Sequence, residues 1–310
     1  MNYYNPQTDK YGYIHSIDNV IYRYYVKSFN SKRIAEDLIE IRKSCGCDGW
    51  EKLNCPACSK FSWYQNIVHI GSIHICFGKM QSFDKVDRSW TVLPRLRLEV
   101  NPNKHYHTKE FISVMKWIRQ NCTSGELVKY DYAIDIPYPM ASVKVYNSRK
   151  EAGLYKGTIY RGQRSKHGFM RIYNKALEQN ISGTDLTRVE HTIYTNQTPS
   201  FEKVVILQSS ISQPPYKLDT LNNVIVNLCL ALQANGIDFD SDIAKLNYRR
   251  RKKIEPFLYG NVQELEYDPQ ILDKLIADIC LLFEADTNAG IIEDDQGFVS
   301  ISDDEELPFE

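Results

Sequence analysis

Three segments between residues 125 and 195 alternate polar and apolar side chains at every second position. This period of two predicts β-strands, because successive side chains of a strand point to opposite faces. In the first segment Asp131 and Asp135 fall on one face with the small Ala133 between them, and the opposite face is apolar. The pattern constrains this part of the chain to a sheet with one apolar face and one polar face.

The other two segments place more ionisable groups on the polar face. They are Arg188, Glu190 and Thr192 in one segment, and Arg171, Tyr173 and Lys175 in the other. If the three strands are neighbours, acids, bases and a tyrosine meet on one surface. The residues alone leave two interpretations open, a functional site and a solvated outer face with cross-strand ion pairs.

The rest of the pattern predicts an α+β fold. Strand and hairpin patterns recur up to about residue 200, with helical spacing at 31–44, where Ser31 is a candidate N-cap, and at 108–122. Beyond residue 201 the spacing becomes helical. We predict a domain over 1–200, with an antiparallel or mixed β-sheet and packed helices, and a smaller helical region over 201–284.

The charges are distributed unevenly. The chain has 38 basic and 39 acidic residues, but ten of the acids and none of the bases lie between Glu284 and Glu310. Residues 1–283 therefore carry 38 bases against 29 acids, a net charge of +9. A basic body favours a nucleic-acid partner. The tail over 285–310 is predicted to be disordered, either as an interaction segment or as a solubilising one.

Four of the eight cysteines cluster in the loop over 44–60. Cys45 and Cys47 form one close pair, and Cys55 and Cys58 form a second. Four thiolates on short turns are typical of structural zinc, so we predict a zinc site here. The alternatives are four unlinked thiols and a redox-active pair formed by Cys55 and Cys58. The first residues contain no apolar signal segment, so we expect a cytoplasmic protein without a membrane span.

The polar segments carry a family resemblance. Asp-x-Ala-x-Asp at 131–135, Tyr-x-Gly-x-Arg-Ser at 160–165, Arg-Ile-Tyr-Asn-Lys at 171–175 and Arg-x-Glu at 188–190 follow one another in this order. This arrangement resembles the Rep-trans replication-initiation proteins of rolling-circle plasmids, a family that also includes relaxases of conjugative elements and small-phage replication initiators. The resemblance covers about residues 125–195.

The resemblance implies a site-specific DNA nicking and joining enzyme in which Tyr173 attacks DNA. A 5′-phosphotyrosine and a free 3′-OH that primes synthesis would result. A phenol has a pKa of about 10, so its anion needs stabilisation at neutral pH. We expect Arg171 and Lys175 to provide it on the same face, with Arg188 as a further catalytic residue.

The resemblance also implies a catalytic Mg²⁺ or Mn²⁺, which acidic oxygens suit. Asp131 and Asp135 lie about 13 Å apart along one strand, whereas neighbouring strands lie about 4.8 Å apart. We therefore predict Asp135 and Glu190 as metal ligands. Asp131 is expected to be a more distant ligand or the partner of an arginine such as Arg188.

Two histidines offer an alternative metal site. His105 and His107 flank Tyr106 in a pattern that resembles the metal-binding histidines of another nicking superfamily. The triplet follows Asn-Pro-Asn at 101–103, however, which predicts a turn, and exposed turn histidines are the simpler interpretation.

Further basic residues are predicted to contact DNA. A run of five in the segment over 241–258 is more than a solvated helix face needs, and phosphate contact explains it. The run comprises Arg249, Arg250, Arg251, Lys252 and Lys253, and Arg164, Arg161 and Arg97 are additional candidates.

The last ten residues end in an acidic run followed by Leu-Pro-Phe-Glu. This segment resembles the C-terminal tip of bacterial single-stranded DNA-binding proteins, although that tip ends on Phe itself. The resemblance implies a contact with a host helicase or another replication factor. The family resemblance is also compatible with a homodimer.

Three functions follow from these observations. The first is initiation of rolling-circle replication by DNA nicking and joining. The second is a relaxase that starts conjugative transfer by the same chemistry. The third is a zinc-stabilised DNA-binding regulator that does not cut.

Overall fold

A computed structural model describes residues 4–54, 64–84, 89–145, 152–164, 166–207, 224–226, 228–229, 243, 245–258 and 262–284. Some sequence predictions fall at least partly outside this set. Among them are Cys55 and Cys58 of the cysteine cluster, most of the predicted helix over 221–234, and the acidic tail over 285–310.

The fold is α+β, as predicted, and the strand registers described are antiparallel. The strands are β1 Gln7–Thr8, β2 Ile14–Val26, β3 Glu51–Lys52, β4 Asn66–Ile70, β5 Ile73–Asp84, β6 Ser89–Val100, β7 Cys122–Ile136, β8 Val143–Val145, β9 Ala152–Tyr155, β10 Thr158–Arg161, β11 Met170–Asn174, β12 Thr187–Tyr194, β13 Val204–Leu207 and β14 Val262–Glu264. The helices are α1 Ser31–Cys45, α2 Pro102–His105, α3 Lys109–Asn121, α4 Lys175–Glu178, α5 Tyr248–Leu258 and α6 Pro269–Phe283.

The chain forms two compact units, each built from segments that are distant in sequence. The first comprises residues 1–5, 17–130 and 273–310, and the second comprises residues 6–16 and 131–272. The long strands β2 and β7 pass from one unit into the other. The domain limit predicted near residue 200 falls inside the second unit.

The sheet of the first unit has the strand order β3-β4-β5-β6-β2-β7. On β2 and β6, Tyr22 pairs with Leu98 and Tyr24 pairs with Leu96, and all four side chains are buried. Every second residue of these strands therefore faces a core, which is the alternation expected of an antiparallel sheet with one covered face.

The C-terminal helix α6 packs into this core through Phe283. Its ring stacks on Tyr22 with centroids 5.3 Å apart and meets Phe111 edge-on at 5.5 Å. The hydroxyl of Tyr24 donates a hydrogen bond to the Phe283 carbonyl at 2.8 Å. These contacts join a helix near residue 280 to strands near residue 25.

Local capping in the first unit differs from the sequence prediction. α1 is capped by Asn30 and not by Ser31, since the Asn30 side chain accepts a hydrogen bond from the Arg33 amide. The predicted turn after Asn101 forms the short helix α2, for which Asn101 is the cap. In both cases the asparagine directly before the first helical residue accepts a hydrogen bond from a backbone amide that has no partner within the helix.

The second unit contains two sheets. One continues β7 in the order β7-β12-β11-β10-β9, and the predicted hairpin between β10 and β11 is confirmed. The other has the order β14-β13-β8. Strands β13 and β14 lie in a region predicted to be helical, so that prediction was wrong there. The β13 sequence is a continuous apolar run, whose periodicity cannot distinguish a strand from a helix.

Aromatic side chains pack behind the polar strands of the second unit. Phe201 stacks on Tyr267 at 4.2 Å, and both contact Tyr132 and His191. His15 lies 2.5 Å from the Tyr132 hydroxyl through Nδ1. Burial raises the pKa of Tyr267 well above 10, so its hydroxyl stays protonated and supports the hydrogen bonds of this cluster.

Within the described residues, no helix is both long and apolar enough to cross a membrane.

Replacement of Phe283 by Ala should destabilise the fold by about 3–5 kcal/mol, because the ring loses its contacts with Tyr22 and Phe111. Urea unfolding followed by circular dichroism measures the change. Leu281→Ala is the control on the same helix, since Leu281 is 44% exposed and its loss should cost less than about 0.5 kcal/mol. Equal losses in the two variants would contradict the packing of α6.

Candidate active site

The polar residues predicted from the alternating pattern meet on one face of β11, β12 and β7. On β11 and β12, Arg171 lies opposite Glu190 and Tyr173 lies opposite Arg188. Residues directly opposite each other on one face have Cβ atoms about 5 Å apart, close enough for side-chain contact. The prediction that these segments form one polar surface is confirmed.

Contacts between β12 and β7 extend the same face. Thr192 Oγ1 donates to Asp131 Oδ1 at 2.7 Å, and Arg188 donates to Asp135 at the other end of the strand. The two contacts bracket Glu190, which lies between Thr192 and Arg188 on β12. Glu190 therefore occupies the middle of a surface made by three strands.

Glu190 is the acceptor around which this surface is arranged. The Tyr173 hydroxyl donates to Glu190 Oε1 at 2.5 Å, and Arg171 forms an ion pair with Glu190 Oε2. Arg171 Nη2 also lies 3.9 Å from Asp131 Oδ2. The central carboxylate thus holds a phenol and a guanidinium at the same time.

Asp135 and Arg188 form a second, bidentate pair. Arg188 Nε lies 2.5 Å from Oδ1 of Asp135, and its Nη2 lies 2.6 Å from Oδ2. Two parallel hydrogen bonds to one carboxylate are the strongest geometry an arginine offers. Arg188 was suggested as one possible partner of Asp131; it pairs with Asp135 instead, and the arginine beside Asp131 is Arg171.

The surface is largely shielded from water. Glu190 is 2% exposed, Asp131 5% and Asp135 8%, whereas the Arg171 side chain is 31% exposed. Buried carboxylates need compensating charges and hydrogen bonds, and each of these three has them. The cross-strand ion pairs of the alternative interpretation are therefore present, but the carboxylates that form them are buried and not solvated.

Lys175 approaches the same tyrosine from a different element. It begins α4 and does not continue β11 as predicted, because the Asn174 side chain caps the helix by accepting from the Leu177 amide. Its Nζ lies 5.9 Å from the Tyr173 ring centroid and forms an ion pair with Glu178. Lys175 thus lies near Tyr173, as predicted, but next to the ring.

Two residues next to this arrangement were not among the predicted site residues. Tyr160, named above only as the first residue of a family motif, lies opposite Arg171 on β10. Glu178 pairs with Lys175 three residues away, a spacing that brings side chains together on a helix.

The predicted metal ligands do not converge in this arrangement. Both oxygens of Asp135 accept from Arg188, and the two oxygens of Glu190 accept from Tyr173 and Arg171. Within the described part of the chain, no three His, Cys, Asp or Glu side chains are grouped as a metal site would require. A cation bound to Asp135 and Glu190 would have to displace these donors, so the arrangement does not fit the ion as it stands.

Arg97 lies on β6 in the first unit, and the other predicted DNA-contact residues lie on β10, on the connection after it and on α5 in the second unit. Arg164 is exposed in the connection between β10 and β11, whereas Arg161 is 1% exposed and is not available at the surface. On α5, Arg249 and Lys252 are exposed, and Arg250 and Arg251 are half-buried. The backbone of Lys253 lies in the same helix.

Cys45 and Cys47, with the two histidines singled out in the sequence, lie in the first unit. Cys45 ends α1, and its thiol donates to Ser113 Oγ at 3.8 Å. The Cys47 thiol donates to the Arg42 carbonyl at 3.6 Å, and burial raises its pKa. With Cys55 and Cys58 outside the described residues, zinc binding stays a prediction.

His105 is not an exposed turn residue. It is buried in α2, where Nδ1 contacts the Asn101 carbonyl at 2.8 Å and Nε2 contacts the Ser72 hydroxyl. Both ring nitrogens are therefore already engaged in hydrogen bonds, which argues against the alternative metal site at His105 and His107.

The chain has a distant likeness to a protein of known structure. A rolling circle replication initiator protein from Geobacillus stearothermophilus, known from its structure, is 12% identical over 59% of this chain and 75% of that chain, with a TM-score of 0.30. A TM-score of this size assigns neither the fold nor the activity. No family model matches the chain, and no curated protein matches it.

Replacement of Asp135 by Asn should cost about 3–5 kcal/mol in the free energy of unfolding, because it leaves the buried Arg188 guanidinium without its partner. Arg188→Gln should cost a similar amount. The double variant should lose less than the sum of the two single losses, because the second change removes the group that the first left unpaired.

Urea unfolding of the four proteins completes this double-mutant cycle. Single losses that add within about 0.5 kcal/mol would contradict a direct pair between these two side chains.

Proposed function

We propose that this protein is a site-specific DNA nicking and joining enzyme that initiates rolling-circle replication, with Tyr173 as its nucleophile. The observation that carries the proposal is the hydrogen bond from the Tyr173 hydroxyl to the buried Glu190, at 2.5 Å. A tyrosine that acts as a nucleophile must lose its proton, and a carboxylate in direct contact is positioned to accept it.

The proposed first step is attack of the Tyr173 oxygen on a DNA phosphorus while its proton passes to Glu190. The bond between phosphorus and the 3′ oxygen breaks, and that oxygen takes a proton from solvent to give a free 3′-OH. The 5′ phosphate stays on Tyr173 as a phosphodiester. Joining is the reverse reaction, in which a 3′-OH attacks the phosphotyrosine and Tyr173 regains its proton from Glu190.

The three basic residues have different proposed roles. Arg171 holds the Glu190 carboxylate in place and is 31% exposed, so it can also contact the phosphate. Lys175, 5.9 Å from the Tyr173 ring centroid, favours the phenolate by its charge. Arg188 is a positioning residue, because its bidentate contact with Asp135 fixes β12 against β7.

A catalytic Mg²⁺ or Mn²⁺ at Asp135 and Glu190, with Asp131 nearby, remains a prediction of the family resemblance. No step above depends on it, because those carboxylates already serve Arg188, Arg171 and Tyr173. If an ion takes part, it supplies Lewis-acid polarisation of the scissile phosphate.

The remaining parts of the proposal rest on sequence. We propose that a structural Zn²⁺ is held by Cys45, Cys47, Cys55 and Cys58, that α5 and Arg164 contact origin DNA, and that the acidic tail recruits a host helicase or another replication factor in the bacterial cytoplasm. A relaxase would use the same Tyr173 chemistry. A regulator that binds DNA without cutting it gives no reason for the contact between Tyr173 and Glu190.

Tyr173→Phe should abolish a covalent protein–DNA adduct, because the attacking oxygen is removed. Wild-type protein is incubated with Mg²⁺ or Mn²⁺ and supercoiled plasmid carrying the origin, and relaxed DNA bound to protein is detected on a denaturing gel. Tyr155→Phe is the matched control, since Tyr155 is 62% exposed on β9 and should not change the yield. No adduct with wild type, or an adduct that persists in Tyr173→Phe, would reject the proposal.

Glu190→Gln separates a proton acceptor from a metal ligand. If Glu190 accepts the Tyr173 proton, nicking should slow by about 10²–10⁴-fold, while the Mn²⁺ concentration that gives half-maximal rate stays unchanged. If Glu190 is a ligand, that concentration should rise. Nicking rates across a Mn²⁺ titration distinguish the two outcomes, and nicking by the wild type that persists in EDTA would contradict the predicted cation requirement.

A further inference from the structure

A second tyrosine lies on the polar face of the second unit, one strand away from Tyr173. Tyr160 on β10 is opposite Arg171 of β11 on one side and opposite Gly153 of β9 on the other. Residues directly opposite each other lie on the same face of a sheet, and so do residues two apart along a strand. Tyr160 and Tyr173 therefore share one face, which continues across β10 to β9.

The Tyr160 ring is supported from one side and does not belong to the apolar core behind the sheet. That core contains Ile159, the residue before it, which lies opposite Ile172, and both are buried. Tyr160 itself is half-buried. Its ring stacks on that of the buried Phe169, with centroids 6.1 Å apart and planes 21° from parallel. Phe169 thus fixes the orientation of a ring that stays partly accessible.

The β9 side of Tyr160 is open. Gly153 is exposed, and a Cβ atom added there would have no atom within 4 Å apart from its chain neighbours. Its φ lies outside the left-handed region, so the backbone does not require glycine at this position. A glycine weakens a strand and often marks a place where a ligand approaches the backbone closely.

An unpaired DNA base fits this combination of a supported ring and an open space. An aromatic ring offers a stacking surface for any base. Arg171, on the other side of Tyr160, is 31% exposed, and a guanidinium that already binds one carboxylate has further N–H groups for a phosphate. In a duplex the bases stack on each other, so only an unpaired base can stack on Tyr160.

We propose that Tyr160 binds an unpaired base of the DNA strand that Tyr173 attacks, with the base in the space over Gly153. The inference rests on the proposed function, because it concerns the substrate strand of that reaction. Diagonal neighbours on adjacent strands lie about 7–8 Å apart, so the bound base is within a few nucleotides of the attacked phosphate. The stacked base holds the strand at Tyr173 and requires the duplex to be open at the nick.

The test compares two fluorescent single-stranded probes of equal length, a deoxythymidine oligonucleotide and an abasic one, by anisotropy. The deoxythymidine probe carries no origin sequence, so a site-specific enzyme should not cut it. Tyr160→Ala should weaken binding of the deoxythymidine probe about tenfold relative to wild type, because it removes the ring on which a base stacks. Affinity for the abasic probe should not change, since the backbone contacts remain.

Three further variants locate the base and control for the truncation. Gly153→Val should also weaken deoxythymidine binding, because it fills the open space, while valine is well suited to a strand and should preserve stability. Tyr160→Phe keeps the ring and should restore binding of the deoxythymidine probe. Leu154→Ala is the matched control, since Leu154 is 54% exposed on the other face of β9 and should affect neither probe. Circular dichroism and a thermal melt establish that each variant is folded.

The outcomes separate this inference from the nicking proposal. No binding of the deoxythymidine probe by wild type, equal losses for both probes in Tyr160→Ala, or an equal loss in Leu154→Ala would overturn the base site. If wild type forms no adduct with origin plasmid but Tyr160→Ala loses affinity for the deoxythymidine probe alone, nicking is rejected and the base site stands. If the adduct forms and Tyr160→Ala binds the probe normally, only this inference fails.

Discussion

One buried carboxylate organises the polar face of the second unit. Glu190 is 2% exposed, so water contributes little to the stability of its charge. Arg171 and Tyr173 on the neighbouring strand supply the ion pair and the hydrogen bond that it needs. This requirement fixes the register of β11 against β12, because a slip of one residue would turn both partners to the other face.

In the proposed function, the interaction that stabilises the Glu190 charge also positions the Tyr173 hydroxyl for proton transfer. The phenol is held against a group that can take its proton, beside an arginine that is still partly exposed. On β7, the pair of Asp135 with Arg188 secures the other side of the middle strand. If the proposed function is correct, structural and catalytic requirements meet in the same few side chains, as expected where buried charge is retained for function.

The alternating pattern predicted which face each polar residue occupies, because the side-chain period of a strand is two. It could not predict the register between strands, so it could not decide which carboxylate pairs with Arg188, and the structure places Asp135 there. Lys175 was placed on a strand because the alternation continues through it, whereas a capping asparagine starts a helix there. The run Val204–Leu207 is continuously apolar, so it lacks the polar–apolar alternation that would predict a strand. It forms a strand through pairing with β8 and β14, which are distant in sequence.

The most direct test of this account is to identify the residue that becomes linked to DNA. The chain has 21 tyrosines, so detection of an adduct alone does not identify its site. Nuclease and trypsin digestion of the adduct, followed by mass spectrometry, should find a nucleotide phosphate on the peptide Ile172–Lys175, which contains Tyr173. A nucleotide on any other residue, or none on this peptide when the adduct is present, would contradict the account.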